Sequence, residues 1–167
     1  MPSELILRFA QAEDYPFICA LFREPHVGKQ LTVEPWLMPV EGIIPFLTQG
    51  ETRMFVAIRK EKRIGFATIN DIDHRNRTAW LGMIAMVQSK ECMRMGSIAK
   101  KIIAYGFNEL NLNKMTFTTW SSNKVVLKWY EKAKIPLEGI ERQHAFVDGE
   151  YLDLHRFGLL RSEFKEV

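Results

Sequence analysis

Cysteine is scarce in this sequence. Only Cys19 and Cys92 occur among 167 residues, and they lie far apart along the chain. Two thiols cannot build the disulfide framework of a small secreted protein, and neither has a second cysteine at zinc-ligand spacing. The four histidines show no metal-ligand spacing either: His26, His74, His144 and His155. We therefore expect neither a disulfide-stabilised fold nor a metal site.

Long apolar runs and blocks of like charge are also missing. No run approaches the roughly 20 apolar residues of a membrane-spanning helix, and the start MPSELILRFAQ lacks the features of a signal peptide. The 23 basic and 20 acidic residues are spread along the chain and leave a net charge of +3. A nucleic-acid or membrane partner would favour a basic block. These absences predict a cytoplasmic protein that binds neither nucleic acid nor membrane.

What the sequence does contain is typical of a single globular domain. Hydrophobic residues make up 47% of the chain and charged residues 26%. A length of 167 residues suits one hydrophobic core, and no repeat or linker separates a second unit. We expect one domain over residues 1–167.

Periodicities and turn signals alternate in the order β, α, irregular, β, β, β, α, β, α, β, β. Asp14 before Pro16 predicts the N-cap of a first helix. Frequent prolines and glycines over 24–50 predict a loop with one or two helical turns. Asp148-Gly149 predicts a two-residue hairpin turn. The other expected elements are strands at 5–9, 54–58, 64–69, 78–86, 114–120, 143–147 and 150–154 and helices at 97–110 and 123–134.

Two of these helices connect strands as crossovers, so the pattern predicts an α/β fold with a mixed sheet. Across the Asp148-Gly149 turn, His144 and Asp153 would face each other as an ion pair. Strand addition through this C-terminal hairpin would make a homodimer.

Asn123 and Tyr130 lie seven residues apart, about two turns, on nearly one face of the second crossover helix. From the residues alone, Asn123 is most simply a helix cap and Tyr130 a core aromatic. Neither interpretation requires any chemistry.

A family resemblance gives this pair a second interpretation. The residues that carry it are Asn123, Val126, Tyr130, Glu138-Gly139, Asp148-Gly149 and the run from Gly158 to Arg161, with Tyr105, Phe107, Leu110, Asn111 and Lys114 upstream. They resemble the GNAT superfamily of N-acetyltransferases, a group of acyltransferases, and its branch of ribosomal-protein N-terminal and spermidine acetyltransferases. The resemblance extends from about Leu5 to Phe164.

The resemblance implies a mixed, mostly antiparallel sheet of about seven strands with a central splay, flanked by about four helices. Acetyl-CoA would lie in that splay as the co-substrate and donate its acetyl group to a primary amine. Asn123 would bind the pantetheine arm, and the Tyr130 hydroxyl would point at the thioester sulfur. A backbone N–H near Ala85 or Met86 would stabilise the oxyanion.

The diphosphate loop departs from the family pattern of small residues. An ungapped reading places the loop on Lys90, Glu91, Cys92, Met93, Arg94 and Met95, with Gly96 just after it. Glu91 brings negative charge near the phosphates, while Lys90 and Arg94 offset part of it. We expect weakened cofactor binding, and the alternative function is a catalytically degenerate binding or regulatory module of the same fold.

The sequence does not identify a general base for the acceptor amine. The candidates are Glu34, Glu41 and His74, and each is more simply interpreted as a surface residue. Deprotonating a lysine-like amine at pH 7 costs roughly 4–5 kcal/mol, whereas deprotonating an α-amino group costs about 1 kcal/mol. This difference favours a peptide N-terminus or an amino sugar over a polyamine. In this interpretation the acceptor pocket is lined by Trp36, Trp80 and Trp120. In the alternative interpretation these tryptophans fill the hydrophobic core.

Overall fold

The computed structural model describes residues 5–31, 35, 37–87 and 95–165. Its strands are β1 (Ile6–Phe9), β2 (Arg53–Arg59), β3 (Lys62–Asp73), β4 (Thr78–Met86), β5 (Lys114–Trp120), β6 (Leu137–Val147) and β7 (Glu150–Leu160). Its helices are α1 (Tyr15–Phe22), α2 (Pro25–Gly28), α3 (Val40–Leu47), α4 (Met95–Asn108) and α5 (Lys124–Lys132), with a 3₁₀ turn at Ala12–Asp14. The predicted α/β order is confirmed, including two short helices within 24–50.

The seven strands form one sheet in the order β1-β2-β3-β4-β5-β7-β6. Within the described residues, β4 and β5 are the parallel neighbours, and the other neighbouring pairs are antiparallel. The mixed, mostly antiparallel sheet is therefore as expected. None of the helices described is long and apolar enough to cross a bilayer.

Two tight turns set the registers of the outer hairpins. Lys60 and Glu61 both have positive φ (49° and 61°) and join β2 to β3, while Asp148 and Gly149 (50° and 86°) join β6 to β7. Positive φ at both positions matches the two-residue turns whose twist suits a hairpin. The predicted Asp148-Gly149 turn is confirmed, although β6 and β7 extend well beyond the predicted strands.

Helices cover the sheet on both faces and divide the core in two. One cluster joins α4 and α5 to the sheet through Ile98, Ile102, Phe107 and Tyr130, against Met115 and Phe117 of β5. The other joins α1, α2 and α3 to the opposite face through Ile18, Phe22, Val27 and Ile43. The sheet centre thus presents one face to α4–α5 and the other to α1–α3.

A bulge at Gly82 changes which β4 side chains point to each face. Ile69 pairs with Leu81 and Thr68 with Met83, so Gly82 is the extra residue. Before the bulge, Ala79 and Leu81 belong to the α4–α5 cluster; after it, Met83 and Ala85 belong to the α1–α3 cluster. One residue therefore reverses the alternation midway along the central strand.

Asp14 occupies the predicted N-cap position of α1, but its carboxylate forms no capping bond to that helix. It is fully buried and accepts hydrogen bonds from the Gln11 amide (2.8 Å), from Arg8 (2.6 and 3.0 Å) and from Arg63 (2.7 Å). The Arg8 hydrogen bond is the largest cause holding the pKa of Asp14 well below its usual value. The residue therefore ties β1 to β3 and caps the 3₁₀ turn.

The ion pair predicted between His144 and Asp153 is wrong. A register shift between Glu141 and Ala145 separates the two side chains. His144 instead contacts Glu141 (2.6 Å), and Asp153 accepts from the Gln143 amide (2.8 Å). Turn length alone did not predict this irregularity.

Replacing Asp14 should reveal what the buried carboxylate contributes. Asp14→Asn presents an amide to two arginines, and we expect the free energy of unfolding at pH 7 to fall by roughly 1.5–3 kcal/mol. The folded pKa is depressed, so the contribution is present above the unfolded value of 3.8 and is lost as the pH falls further. Urea unfolding at pH 7 and at successively lower pH should show the two proteins converging.

Glu13→Gln is the matched control, because Glu13 lies 3.6–3.7 Å from the same two arginines but is 65% exposed. It should change the unfolding free energy by about 0.5 kcal/mol or less. Equal losses in both variants would contradict a special role for Asp14.

Candidate active site

The sheet opens between its two parallel strands. Their pairing runs from Thr78↔Lys114 to Leu81↔Phe117 and then stops, although β4 continues to Met86 and β5 to Trp120. The ladder ends directly before the Gly82 bulge. The splay expected from the family resemblance is therefore present, with Leu81 and Phe117 at its base.

The backbone of Met86 faces this opening. The Val87 amide donates to the Ile64 carbonyl (2.9 Å), and Gly65 pairs with Met86 in the same register. Because hydrogen-bonded and non-bonded pairs alternate in antiparallel strands, Ala85 bonds to Phe66 while Met86 directs its N–H and C=O away from β3. Of the two predicted backbone sites, the geometry favours Met86 and commits the Ala85 amide to the sheet.

Asn123 caps α5, as the residues alone predicted. Its side-chain oxygen accepts from the Val126 amide (3.3 Å), and its backbone carbonyl accepts from Leu127 (3.1 Å). This cap uses the amide oxygen and leaves the two N–H donors of the side chain without a partner among the described residues. Asn123 can therefore cap the helix and donate to another group at the same time.

Tyr130 lies deep between α5 and the sheet, with 6% of its surface exposed. Its ring packs at 5.8 Å from Phe117, at the base of the opening, and at 4.5 Å from Phe157. Burial raises the pKa of Tyr130 above its usual value of 10.0, so the hydroxyl stays protonated at neutral pH. The residue is a core aromatic that also stands at the end of the β4–β5 ladder.

The predicted diphosphate loop falls mostly outside the described residues, which omit Lys90, Glu91, Cys92, Met93 and Arg94. Met95 begins α4, and Gly96 lies in its first turn. A Cβ at position 96 would meet the indole nitrogen of Trp129 on α5. The glycine therefore allows the start of α4 to pack against the helix that carries Asn123 and Tyr130.

The predicted acceptor tryptophans have different environments on the α1–α3 face. Trp80 lines an open depression of about 580 Å³, and its indole nitrogen is buried with no hydrogen-bond partner among the described residues. Trp120 is 6% exposed and donates its indole N–H to the Gln30 carbonyl (2.9 Å). Trp36 lies outside the described residues.

The charges around this depression largely cancel. Lys114 contacts Glu138 at 2.7 Å, Arg156 pairs with Glu141, and Asp71 is a further acidic residue of the lining. The described residues contain no group of three or more His, Cys, Asp or Glu that could hold a metal ion. The surface is nearly neutral, in contrast to the acidic surface that suits a polycation.

Sequence reasoning did not identify His26 as a site residue. The structure places its Nε2 atom 2.8 Å from the Met86 carbonyl oxygen, at the mouth of the opening. This contact joins residues 60 positions apart, and no local pattern could have predicted it.

Comparison with known proteins assigns the chain to a family. The model of the acetyltransferase (GNAT) domain matches residues 4–135. The chain belongs to the GNAT acetyltransferase family. It is an N-acetyltransferase, and acetyl-CoA is its acetyl donor.

Individual relatives are distant but match along nearly the whole chain. An uncharacterized N-acetyltransferase, p20, of Bacillus licheniformis is 26% identical, covering 97% of this chain and 96% of that protein. The spermidine N(1)-acetyltransferase of Vibrio cholerae is 23% identical over 98% of this chain and 97% of its own. A crystal structure of the Vibrio cholerae spermidine N-acetyltransferase with CoA and spermine superposes with a TM-score of 0.86 at 22% identity, covering 95% and 96% of the two chains.

The capping and donor capacities of Asn123 can be separated by substitution. Asn123→Asp keeps an oxygen for the Val126 amide, whereas Asn123→Ala removes it. We expect alanine to lower the unfolding free energy by about 1 kcal/mol and aspartate to change it by only a few tenths. Both variants lack the amide donor, so both should show a smaller CoA-induced rise in melting temperature than the wild type. If CoA raised the melting temperature of Asn123→Asp as much as that of the wild type, a role of the amide donor in cofactor binding would be excluded.

Proposed function

We propose that this acetyltransferase moves the acetyl group directly to a primary amine of low positive charge, at the β4–β5 opening. The observation that carries the proposal is the position of Leu81 and Phe117, where the ladder ends. Tyr130 packs against this base from the α4–α5 face, and Trp80 lies at the same level on the other face. In this arrangement acetyl-CoA and the acceptor would approach the opening from opposite faces of the sheet.

The residues around the opening suit acetyl-CoA, which supplies an activated thioester. The gap-facing N–H of Met86 can bond to the pantetheine arm or hold an oxyanion, whereas its carbonyl already contacts His26. The side-chain N–H donors of Asn123 have no partner among the described residues. The first turn of α4, with Met95 and Gly96, offers helix N–H groups to phosphate. Lys90 and Arg94 would add positive charge there, as expected from the sequence.

Tyr130 is proposed to protonate the departing sulfur. When the amine nitrogen bonds to the thioester carbon, the carbon–sulfur bond breaks, and the thiolate needs a proton. The Tyr130 hydroxyl stays protonated at neutral pH and can donate a proton to the thiolate. A proton from the acetylated nitrogen then restores the phenol, so the residue ends the cycle unchanged.

The charges on the α1–α3 face support the proposed acceptor class. A polyamine site needs several unpaired carboxylates, but Glu138 and Glu141 are engaged with Lys114 and Arg156. We therefore favour a peptide N-terminus or an amino sugar, with Trp80 and Trp120 on the acceptor side.

The direct experiment measures free thiol released from acetyl-CoA with separate panels of α-amino peptides, amino sugars and polyamines. We expect turnover with one of the first two classes and little with spermidine. Preferential use of spermidine would contradict the proposed acceptor class. Thermal stabilisation by CoA without thiol release in any panel would support the binding module instead.

Tyr130→Phe tests the proton donor with the best acceptor from that panel. Removing the hydroxyl should lower kcat by roughly 10²-fold or more, because general acid catalysis typically contributes at least that factor. The CoA-induced melting shift should remain, since the ring still packs against Phe117 and Phe157. Unchanged turnover in Tyr130→Phe would exclude the assigned role.

A further inference from the structure

A second irregularity of the sheet lies beside Trp80, on β3. Asn70 pairs with Trp80 and Asp73 with Thr78, so β3 has one residue more than β4 over this stretch. Asp71 lies within it and has a positive φ of 52°. Bulges often re-aim a side chain beside a functional site. Asp71 accordingly lines the depression that also contains Trp80.

Of the charged residues in this lining, Asp71 alone lacks a partner within the described part of the chain. Lys114 contacts Glu138 at 2.7 Å, and Arg156 pairs with Glu141. Asp71 is exposed, and its carboxylate has no hydrogen bond or ion pair to any described residue. Both of its oxygens are therefore free to accept hydrogen bonds from a ligand in the depression.

The position of Asp71 along the sheet separates it from the reacting amine. It lies level with Ala79, two residues before Leu81 at the base of the opening, which corresponds to roughly 7 Å along β4. The depression continues from there to Thr118, one residue beyond the end of the ladder at Phe117. An acceptor that places its amine in the opening therefore reaches Asp71 with a group distant from that amine.

The other lining residues indicate what kind of acceptor this is. Thr78, Thr116 and Thr118 carry hydroxyls, and Thr116 donates to the Ala79 carbonyl (3.3 Å), so its oxygen is left to accept. Trp80 adds a partly exposed apolar surface beside them. A sugar ring has hydroxyls around its rim and apolar C–H faces, and both match this mixture of polar and apolar groups.

Two other acceptor classes fit the lining less well. A polyamine would find one free carboxylate, since the two glutamates beside the depression already pair with Lys114 and Arg156. A peptide main chain binds well along a free strand edge. However, β4 and β5 have paired neighbours on both sides at this level.

We propose that the acceptor is an amino sugar whose hydroxyls bind Asp71 while its amine enters the opening. This assignment rests on the proposed function and chooses between the two acceptor classes left open there. The Asp71 carboxylate accepts hydrogen bonds from ring hydroxyls, and Trp80 packs against an apolar face of the ring. Asp71 thus determines specificity and takes no part in the acetyl transfer itself.

Asp71→Asn tests this role, because asparagine also tolerates a positive φ and keeps the size of the side chain but not its charge. Asp148→Asn is the matched control. Asp148 is another exposed aspartate with a positive φ (50°), but it lies at the β6–β7 turn and not in the lining of the depression.

Thiol release from acetyl-CoA should be measured with four amines: glucosamine, cyclohexylamine, an α-amino peptide and 1,4-diaminobutane. Cyclohexylamine has a ring of the same size as glucosamine but no hydroxyls. For each amine, the ratio of kcat/KM in the variant to that in the wild type cancels differences in amine basicity.

We expect Asp71→Asn to lower kcat/KM for glucosamine by about tenfold or more, because a hydrogen bond to a charged group is lost. The wild type should use cyclohexylamine poorly, and Asp71→Asn should leave that low rate unchanged. Asp148→Asn should match the wild type with every amine. CoA should raise the melting temperature of all three proteins equally, because Asp71 lies away from the expected cofactor path.

Several results would overturn this proposal and leave acetyl transfer at the opening intact. Turnover of the peptide but not of glucosamine would identify the other acceptor class. An unchanged rate with glucosamine in Asp71→Asn, or an equal loss with cyclohexylamine, would exclude recognition of hydroxyls by Asp71. A larger loss for 1,4-diaminobutane than for glucosamine would show that Asp71 binds a second ammonium group. A wild-type protein that acetylated no amine would overturn the proposed function as well.

Discussion

The arrangement of this active site depends on the end of one hydrogen-bond ladder. The β4–β5 pairing stops at Leu81↔Phe117, and the extra residue at Gly82 follows immediately. A side chain at position 82 would collide with the side chains of Asn70 and Thr68 on the neighbouring strand. Glycine fits this bulged position, and a bulge bends its strand, which favours the divergence of β4 from β5 beyond Leu81.

The same bulge separates the chemistry of the two faces. By reversing the alternation of β4, it places Trp80 and Ala85 together on the α1–α3 face, while Leu81 and Met86 belong to the α4–α5 cluster. Tyr130 lies with the second group and His26 with the first. The proposed proton donor, Tyr130, and the expected acceptor pocket therefore lie on opposite faces of the sheet.

Local signals in the sequence predicted most of the elements. The turn at Asp148-Gly149, the cap at Asn123 and the apolar stripe of α4 depend on neighbours within a few residues, and all three are present. The roles of Tyr130 and Met86 came from the family resemblance, and they stay predictions.

The features that sequence reasoning missed involve long separations or irregular registers. The local sequence indicates only a helix cap at Asp14, because its partner Arg63 lies 49 residues away. The shift in β6 that separates His144 from Asp153 has no turn or glycine to mark it, and the contact of His26 with Met86 exists only once the sheet has formed. Such contacts depend on the assembled fold, so spacing along the chain carries no information about them.

The contact between Gly96 and Trp129 bears on the predicted diphosphate loop, which lacks the small residues of the family pattern. The first turn of α4 packs against α5 one residue before Tyr130, because position 96 has no side chain to keep the helices apart. The two helices that would hold the diphosphate and the thioester sulfur of the cofactor are therefore in direct contact. Weaker binding at the predicted phosphate end would lower affinity for the whole cofactor, but it would leave this packing of α4 against α5 in place. We therefore expect the absence of small residues from the predicted loop to affect cofactor affinity more than the chemical step.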